Sequence, residues 1–367
     1  MIIGVDLRGL DPKQTNGVSV YTLNLLKQLV ETDDLNSYKI FLNRQNLKAF
    51  EGWFSCPKIK FYNYNIPNKI LNSGLALFNY PKIDKLIGGA DIYWLPNLNF
   101  LALTKKPKLI ITIHDLSFKL MPELYSWKRQ IWHKLIRPLK IIERAEQVLT
   151  VSENTRQDLI KYYDLAENKS EVVRPGESEI KENFHLASKE NIILSIATFE
   201  PRKNLDSVIL AFDKLLEKTK DLKNWRLVIA GQQGWRHRLL KKSLKTIKCP
   251  DNVSLLTNVD NEQIFNLYKK ARIFIWPSYY EGYGFPPQQA LKNDNLVIAS
   301  FNSSLIECLP KKTIFINPFN LNELTEALAV AIKSSLNDNF QFTKSRPDLD
   351  LSWAISAKKF LTIINKL

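Results

Sequence analysis

Short, continuously apolar runs alternate with stretches of helical periodicity along the whole chain, and that alternation restricts the fold more than any other feature. A strand that is apolar at every position must be covered on both faces, and crossover helices between parallel strands provide the cover. In the first half the runs are Ile2–Asp6, Ser37–Asn43, Lys58–Tyr64, Asp91–Asn97, Lys108–Asp115 and Gln147–Ser152, with helices expected over Val18–Val30, Trp127–Ala145 and Glu153–Tyr163. In the second half they are Asn191–Thr198, Trp225–Gly231, Val253–Leu256, Arg272–Pro277 and Leu296–Ser300. Helices are expected there near Leu205–Lys218, His237–Ile247, Glu262–Ala271, Pro287–Lys292 and Leu321–Ser334, with a last one over Ser352–Leu367. The expected fold class is α/β, with two doubly wound parallel sheets.

A chain of 367 residues is long for one core, and its composition marks a boundary. After Val172–Gly176 the segment Glu177–Asn191 is polar and weakly periodic. The reading is a domain over 1–176, a linker over 177–190, a second domain over 191–350 and a terminal helix over 351–367. Two such domains would leave a cleft where the carboxyl ends of both sheets face each other, and sheets of this kind bind ligands there.

The formal charge of +15 implies an acidic partner: nucleic acid, anionic lipid or a sugar nucleotide. No helix-turn-helix, zinc-finger or RRM-like pattern is present, so nucleic acid ranks last and is not expected as a partner. Cys56, Cys249 and Cys308 are far apart and lack metal-ligand spacing, which suits a reducing compartment. Met1–Leu10 reads as a strand and not as a signal peptide, and no run approaches the ~18 apolar residues of a membrane span. A cytoplasmic protein is expected, soluble or peripheral on the inner face of the membrane.

Three segments carry groups suited to chemistry. Glu281-Gly-Tyr-Gly-Phe-Pro-Pro287 joins an apolar strand to a helix. Gly282 and Gly284 admit backbone conformations closed to other residues, and Pro286 and Pro287 fit a helix entrance. The amides of Gly282, Tyr283, Gly284 and Phe285 would then surround one point, fit for an anion or a polyhydroxylated ligand, with Glu281 as acceptor at its mouth. An ordinary strand–turn–helix connection is the plainer reading.

Phe199-Glu200-Pro201-Arg202-Lys203-Asn204 follows the first strand of the second half. It is either a solvated turn with Asn204 as N-cap or a cation pair suited to a diphosphate. His114 ends a strand of the first half, as a structural hydrogen-bonder or as a mostly neutral donor or acceptor to a hydroxyl, with Asp115 fixing the loop or orienting it. Gly17, between the first strand and its helix, would allow close backbone approach to a phosphate or acceptor.

The Glu281 string resembles the signature of the family-4 (group 1) retaining glycosyltransferases. That signature reads Glu, Gly, aromatic, Gly, apolar, Pro, with a second Glu eight positions after the first. Residues 281–286 match it, and Gln289 stands where the second glutamate is usual. The Pro-Arg-Lys-Asn turn, the segment His114-Asp-Leu-Ser-Phe118, Gly17, Ser303–Glu307 and Trp353 are similar to the family as well.

The resemblance implies the GT-B architecture of two Rossmann-like domains and a nucleotide-diphosphate sugar as co-substrate, with no separate cofactor and no metal. It implies donor phosphates on Lys203 and Arg202, sugar hydroxyls on Glu281, the ribose at Gln289 and His114 near the donor sugar. Glu307 would be structural or near the donor, and Trp353 would pack a final helix that returns to the first domain. The acceptor would be a saccharide or lipid-linked saccharide of an envelope polysaccharide, receiving a mannose-, glucose- or rhamnose-like sugar.

Competing readings are a catalytically silent subunit of the same architecture, for which Gln289 speaks, a sugar-nucleotide epimerase, and a binding module for nucleic acid or membrane. Asp348-Leu349-Asp350 reads as a surface turn or cap and not as a metal site. In the expected helix Trp127–Ala145, an apolar stripe of Trp127, Ile131, Leu135, Leu139 and Ile142 runs beside Lys128, Arg129, Lys134, Arg137 and Lys140. Core packing is the first reading of that stripe, and an anionic membrane surface the second.

Overall fold

The computed structural model describes residues 1–10, 16–45, 47–52, 56–177, 188–235, 237–336 and 352–367. The chain forms two compact units, Met1–Pro122 with Trp127–Glu177 and Asp350–Leu367, and Glu123–Ser126 with Ser178–Leu349. Most of the expected linker, residues 178–187, and the Asp348–Asp350 segment lie outside the described residues.

The first unit holds seven strands: β1 (Ile2–Asp6), β2 (Ser37–Asn43), β3 (Ile59–Tyr64), β4 (Ile92–Leu95), β5 (Lys108–Ile113), β6 (Gln147–Thr150) and β7 (Ser170–Val172). All pair in parallel, in the order β3-β2-β1-β4-β5-β6-β7. The order reverses direction at β1, which opens a crevice beyond the carboxyl ends of β1 and β4. The sequence reading lacked β7, a three-residue edge strand too short to form an apolar run.

The helix Gly17–Thr32 starts at Asn16, whose side chain accepts from the Ser19 amide. The helix Trp353–Ile364 belongs to this unit and sets Phe360 4.9 Å from Trp94 and Trp353 6.0 Å from Tyr21, between ring centres. Trp353 Nε1 donates to the Glu177 carbonyl at 2.9 Å. Beneath it lies Gly176, where a Cβ would fall 2.4 Å from the Trp353 backbone nitrogen. Backbone cannot yield as a side-chain tip can, so Gly176→Ala is expected to destabilise this unit by about 1–3 kcal/mol. An unchanged urea midpoint would show that the helix slides aside freely.

The expected long helix is in fact two, Trp127–Ile136 and Pro138–Arg144, separated by Arg137 in the left-handed region at φ 56°. Pro138 opens the second helix, and the clash of its ring with the preceding residue disfavours right-handed helical backbone at Arg137. The core-packing reading of the stripe is corrected as well. Trp127, Ile131, Leu135 and Leu139 are exposed, and only Ile142 of the five is buried. Among the described residues no helix is long and apolar enough to cross a membrane.

The second unit holds β8 (Glu190–Ile196), β9 (Arg226–Gly231), β10 (Val253–Thr257), β11 (Ala271–Trp276), β12 (Leu296–Ser300) and β13 (Ile314–Ile316). They too pair in parallel, in the order β10-β9-β8-β11-β12-β13. The edge strand β13, again three residues long, was not anticipated. On one face the helix Leu205–Lys218 buries Leu205, Val208, Ile209, Phe212, Leu215 and Leu216, a spacing of three and four that keeps one side inward. Each such side chain is worth about 1.5–3 kcal/mol of burial. The order reverses between β8 and β11, whose registers align Ile193 with Ile273 and Leu194 with Phe274. Their carboxyl ends therefore open into one crevice of this unit.

Candidate active site

Two turns meet at that crevice. Beyond β8 the chain enters a single 3-10 turn, Pro201–Lys203, and beyond β11 it runs through Ser278 to Glu281. The turns are tied by the Tyr279 amide, which donates to the Arg202 carbonyl at 2.9 Å. Asn204 takes left-handed backbone at φ 54° and is buried, with its side chain donating to the Pro318 carbonyl and accepting from the Tyr279 hydroxyl. It makes no capping bond to the helix it precedes, and Arg202 and Lys203 are largely covered. The solvated-turn reading of Pro201–Asn204 is therefore corrected.

Glu281 is buried, and its carboxylate is fully engaged. Oε1 accepts from Lys203 Nζ at 2.6 Å and from Ser278 Oγ at 2.5 Å, while Oε2 accepts from Arg202 Nη1 at 3.0 Å. Its own amide donates to Ser303 Oγ, and its carbonyl accepts from Ser304 Oγ, both at 3.0 Å. Burial alone would raise its pKa, but the charges of Lys203 and Arg202 outweigh it and hold the carboxyl at about 2. Arg202 also binds Glu200 Oε1 through Nε and Nη2 and the Tyr280 carbonyl through Nη1. Lys203 sits over the Trp276 ring at 4.6 Å. Burial and the neighbouring Arg202 charge push its pKa down, against the opposing pull of Glu281.

The glycine loop closes the crevice. Gly284 takes φ 98° as N-cap of the helix Phe285–Lys292, and a Cβ there would meet Leu305 Cδ2 at 2.6 Å. Gly282 is not among the glycines with positive φ, so the special conformation expected at both glycines is needed at Gly284 alone. Tyr283 is buried and packs edge-on to Phe285 at 5.3 Å. Pro286 and Pro287 have no N–H, so only the Gly284 and Phe285 amides remain in the first turn for an anion. One turn further on, Gln289 Oε1 is buried without a donor. A buried carbonyl in that state is a ready acceptor for a ligand hydroxyl.

In the first unit, His114 directly follows β5 and is half-buried. Its Nε2 lies 2.8 Å from the Pro96 carbonyl, which makes that nitrogen the donor, and its ring meets Tyr21 edge-on at 5.2 Å. Burial lowers its pKa, so the ring is neutral near pH 7. Asp115 accepts from the Ser117 amide and hydroxyl and so fixes the loop; it does not orient His114. Gly17 is exposed as the first residue of its helix. Among the described residues no three His, Cys, Asp or Glu side chains are grouped to hold a metal ion.

Two family profiles account for nearly all of the sequence: "Glycosyl transferases group 1" matches residues 176–350 and "Glycosyltransferase Family 4" matches residues 15–176. The chain belongs to the family-4, group 1 glycosyltransferases. It is similar to O-antigen chain mannosyltransferase B of Escherichia coli, 25% identical over 350 residues that cover 88% of this chain and 87% of that one. O-antigen chain mannosyltransferase RfbU of Salmonella typhimurium is 24% identical over 338 residues, with 87% of each chain covered. A sucrose-phosphate synthase from Thermosynechococcus elongatus shares the fold, with a TM-score of 0.73 at 15% identity over 100% of this chain and 98% of that one. The two parallel-sheet units are thus those of a GT-B glycosyltransferase.

Within this glycosyltransferase the structure brings together Arg202, Lys203 and Glu281, with the glycine loop and Gln289 on the same side of the second sheet. Sequence reasoning assigned no role to Glu200, Ser278 or Trp276. Ser278 lies three residues before Glu281 and Glu200 two before Arg202, so proximity was the one available signal. Trp276 was read only as the end of a strand.

Proposed function

We propose that this glycosyltransferase moves a mannose-like sugar from a nucleotide-diphosphate donor to a saccharide or lipid-linked saccharide, with retention of configuration, in envelope polysaccharide synthesis. The observation that carries the donor reading is the covered Arg202–Lys203 pair at the β8–β11 switch point, with the donorless Gln289 carbonyl in the helix that follows the glycine loop. The two curated relatives support mannose and an O-antigen-type acceptor. Retention rests on the family resemblance.

As the sugar–phosphate bond breaks, negative charge grows on the departing diphosphate. Arg202, Lys203 and the Gly284 and Phe285 amides answer that charge with fixed dipoles and cations that need little rearrangement. Without a ligand, Glu200 and Glu281 match the two cations one for one. A diphosphate would share those cations and release part of the Glu281 carboxylate to sugar hydroxyls. Gln289 would accept from a ribose hydroxyl, and by resemblance alone His114 hydrogen-bonds the donor sugar. The donor is a co-substrate, and neither a cofactor nor a metal takes part.

Thermal-shift measurements with GDP-mannose, UDP-glucose and dTDP-rhamnose test this, with transfer to an oligosaccharide acceptor as the second readout. A stabilising shift is expected with GDP-mannose, smaller in Lys203→Ala. In Gln289→Met donor affinity should fall about tenfold while the ligand-free melting point holds or rises, because an unpaired buried polar atom has been removed. Equal shifts in parent and Lys203→Ala would remove Lys203 from the phosphate site. Donor binding without transfer to any acceptor would favour the silent subunit, and conversion of donor alone would favour the epimerase.

A further inference from the structure

We infer that the helices Trp127–Ile136 and Pro138–Arg144, with the cavity beside them, form a surface that docks on a bilayer of anionic phospholipid. The helix Trp127–Ile136 buries a single residue, Ile136. Trp127, Ile131 and Leu135, four residues apart, stand 66%, 46% and 49% exposed, and Leu139 of the second helix stands 45% exposed. Residues at that spacing lie along one side of a helix, so Trp127, Ile131 and Leu135 form a continuous apolar line and not scattered surface hydrophobes. Trp132 adds a further partly exposed ring, edge-on to Phe100 at 6.1 Å.

Charge decides what covers the line. Between Glu123 and Glu143 the sequence has no carboxylate and five cations, Lys128, Arg129, Lys134, Arg137 and Lys140. Beside Leu139 opens a cavity of about 410 Å³ whose lining includes Lys119, Arg137, Lys161, Tyr162 and Asp164, three cations against one carboxylate. Lys161 Nζ lies over the Tyr162 ring at 5.1 Å. A second copy of the chain seated by this same surface would set like charges against like charges. A bilayer of phosphate headgroups over acyl chains matches both parts, with a headgroup phosphate in the cavity and the Trp–Ile–Leu line among the upper methylenes. Tryptophan favours that boundary, and a ten-residue helix about 15 Å long lies in its plane. Each basic residue at an anionic surface is worth about fivefold in partitioning. The inference stands on this surface alone, so it can fail while the sugar-transfer reading holds, and the reverse.

The test is sedimentation of the full chain with vesicles of phosphatidylcholine, with and without phosphatidylglycerol. Binding is expected only to vesicles containing phosphatidylglycerol, with a fraction that survives salt high enough to screen surface charge. Trp127→Ser with Leu135→Ser should reduce the salt-resistant fraction about tenfold, and Lys119→Glu with Lys161→Glu should reduce the salt-sensitive one. Equal binding to neutral vesicles, or parent-like binding by both variants, overturns the inference. So does a dimer that the serine variant dissociates without change in vesicle binding. Should either variant misfold, tryptophan quenching of the parent by brominated phosphatidylglycerol is expected, and its absence overturns the inference equally.

Discussion

Glu281→Gln is expected to destabilise the second unit by about 3–5 kcal/mol and to slow sugar transfer at least about a hundredfold. The carboxylate is the shared partner of Lys203 and Arg202, at 2.6 and 3.0 Å, in a place that water barely reaches. Glutamine preserves the shape and one acceptor oxygen but leaves a net positive charge in a low-dielectric site. Breaking such a pair costs more than removing it whole, because the orphaned ion keeps its desolvation penalty. The double variant Glu281→Gln with Lys203→Met should therefore recover most of the lost stability, since Arg202 retains Glu200 at 3.0 Å. It should recover no activity, because the phosphate contact goes with the lysine. Urea midpoints and initial transfer rates for the four proteins of the cycle decide the matter. A single variant as stable as the parent would show that the cluster contributes nothing through charge, and a double variant with restored transfer would remove Lys203 from the chemistry.

Acid should act on the same carboxyl. Its folded pKa of about 2 lies below the ordinary 4.5, so the folded state binds the proton more weakly than the unfolded chain does. Stability from this group is then fully present above pH 4.5 and is lost as pH falls through about 2. The gap is worth about 3 kcal/mol, of the order of a quarter to a half of a typical domain's stability. Other carboxyls titrate over the same range, so the useful quantity is a difference. The parent should lose about 3 kcal/mol more than the double variant between roughly pH 7 and pH 2, in urea midpoints. Identical pH profiles would mean that Glu281 is not held ionised by its neighbours.

The central strands were legible because of where they sit. β1, β5, β8, β11 and β12 lie inside their sheets and are buried at most positions, and such strands must be apolar along most of their length, which leaves a run that can be read. β7 and β13 close the sheets at one edge with three residues each, too few to show any period. The break at Arg137 was half legible: Pro138 announced a disturbance, while the separation into two helices depended on where the second could restart. At the site, Pro201–Asn204 and Glu281–Pro287 were each visible as local strings. Their direct bonding was not, because 78 residues separate Lys203 from Glu281.

By itself the sequence determined the two α/β halves, the glycine loop, the cation turn and the family, because each is written in neighbouring residues whose backbone preferences and periodicities act locally. Only the tertiary structure decided that Glu281 pairs with both Arg202 and Lys203, that Gln289 holds a buried carbonyl without a donor, and that the Trp127–Leu139 stripe faces outward. Those outcomes depend on which distant surfaces come within bonding distance. A helical period shows that one face is apolar, but packing decides whether anything covers it.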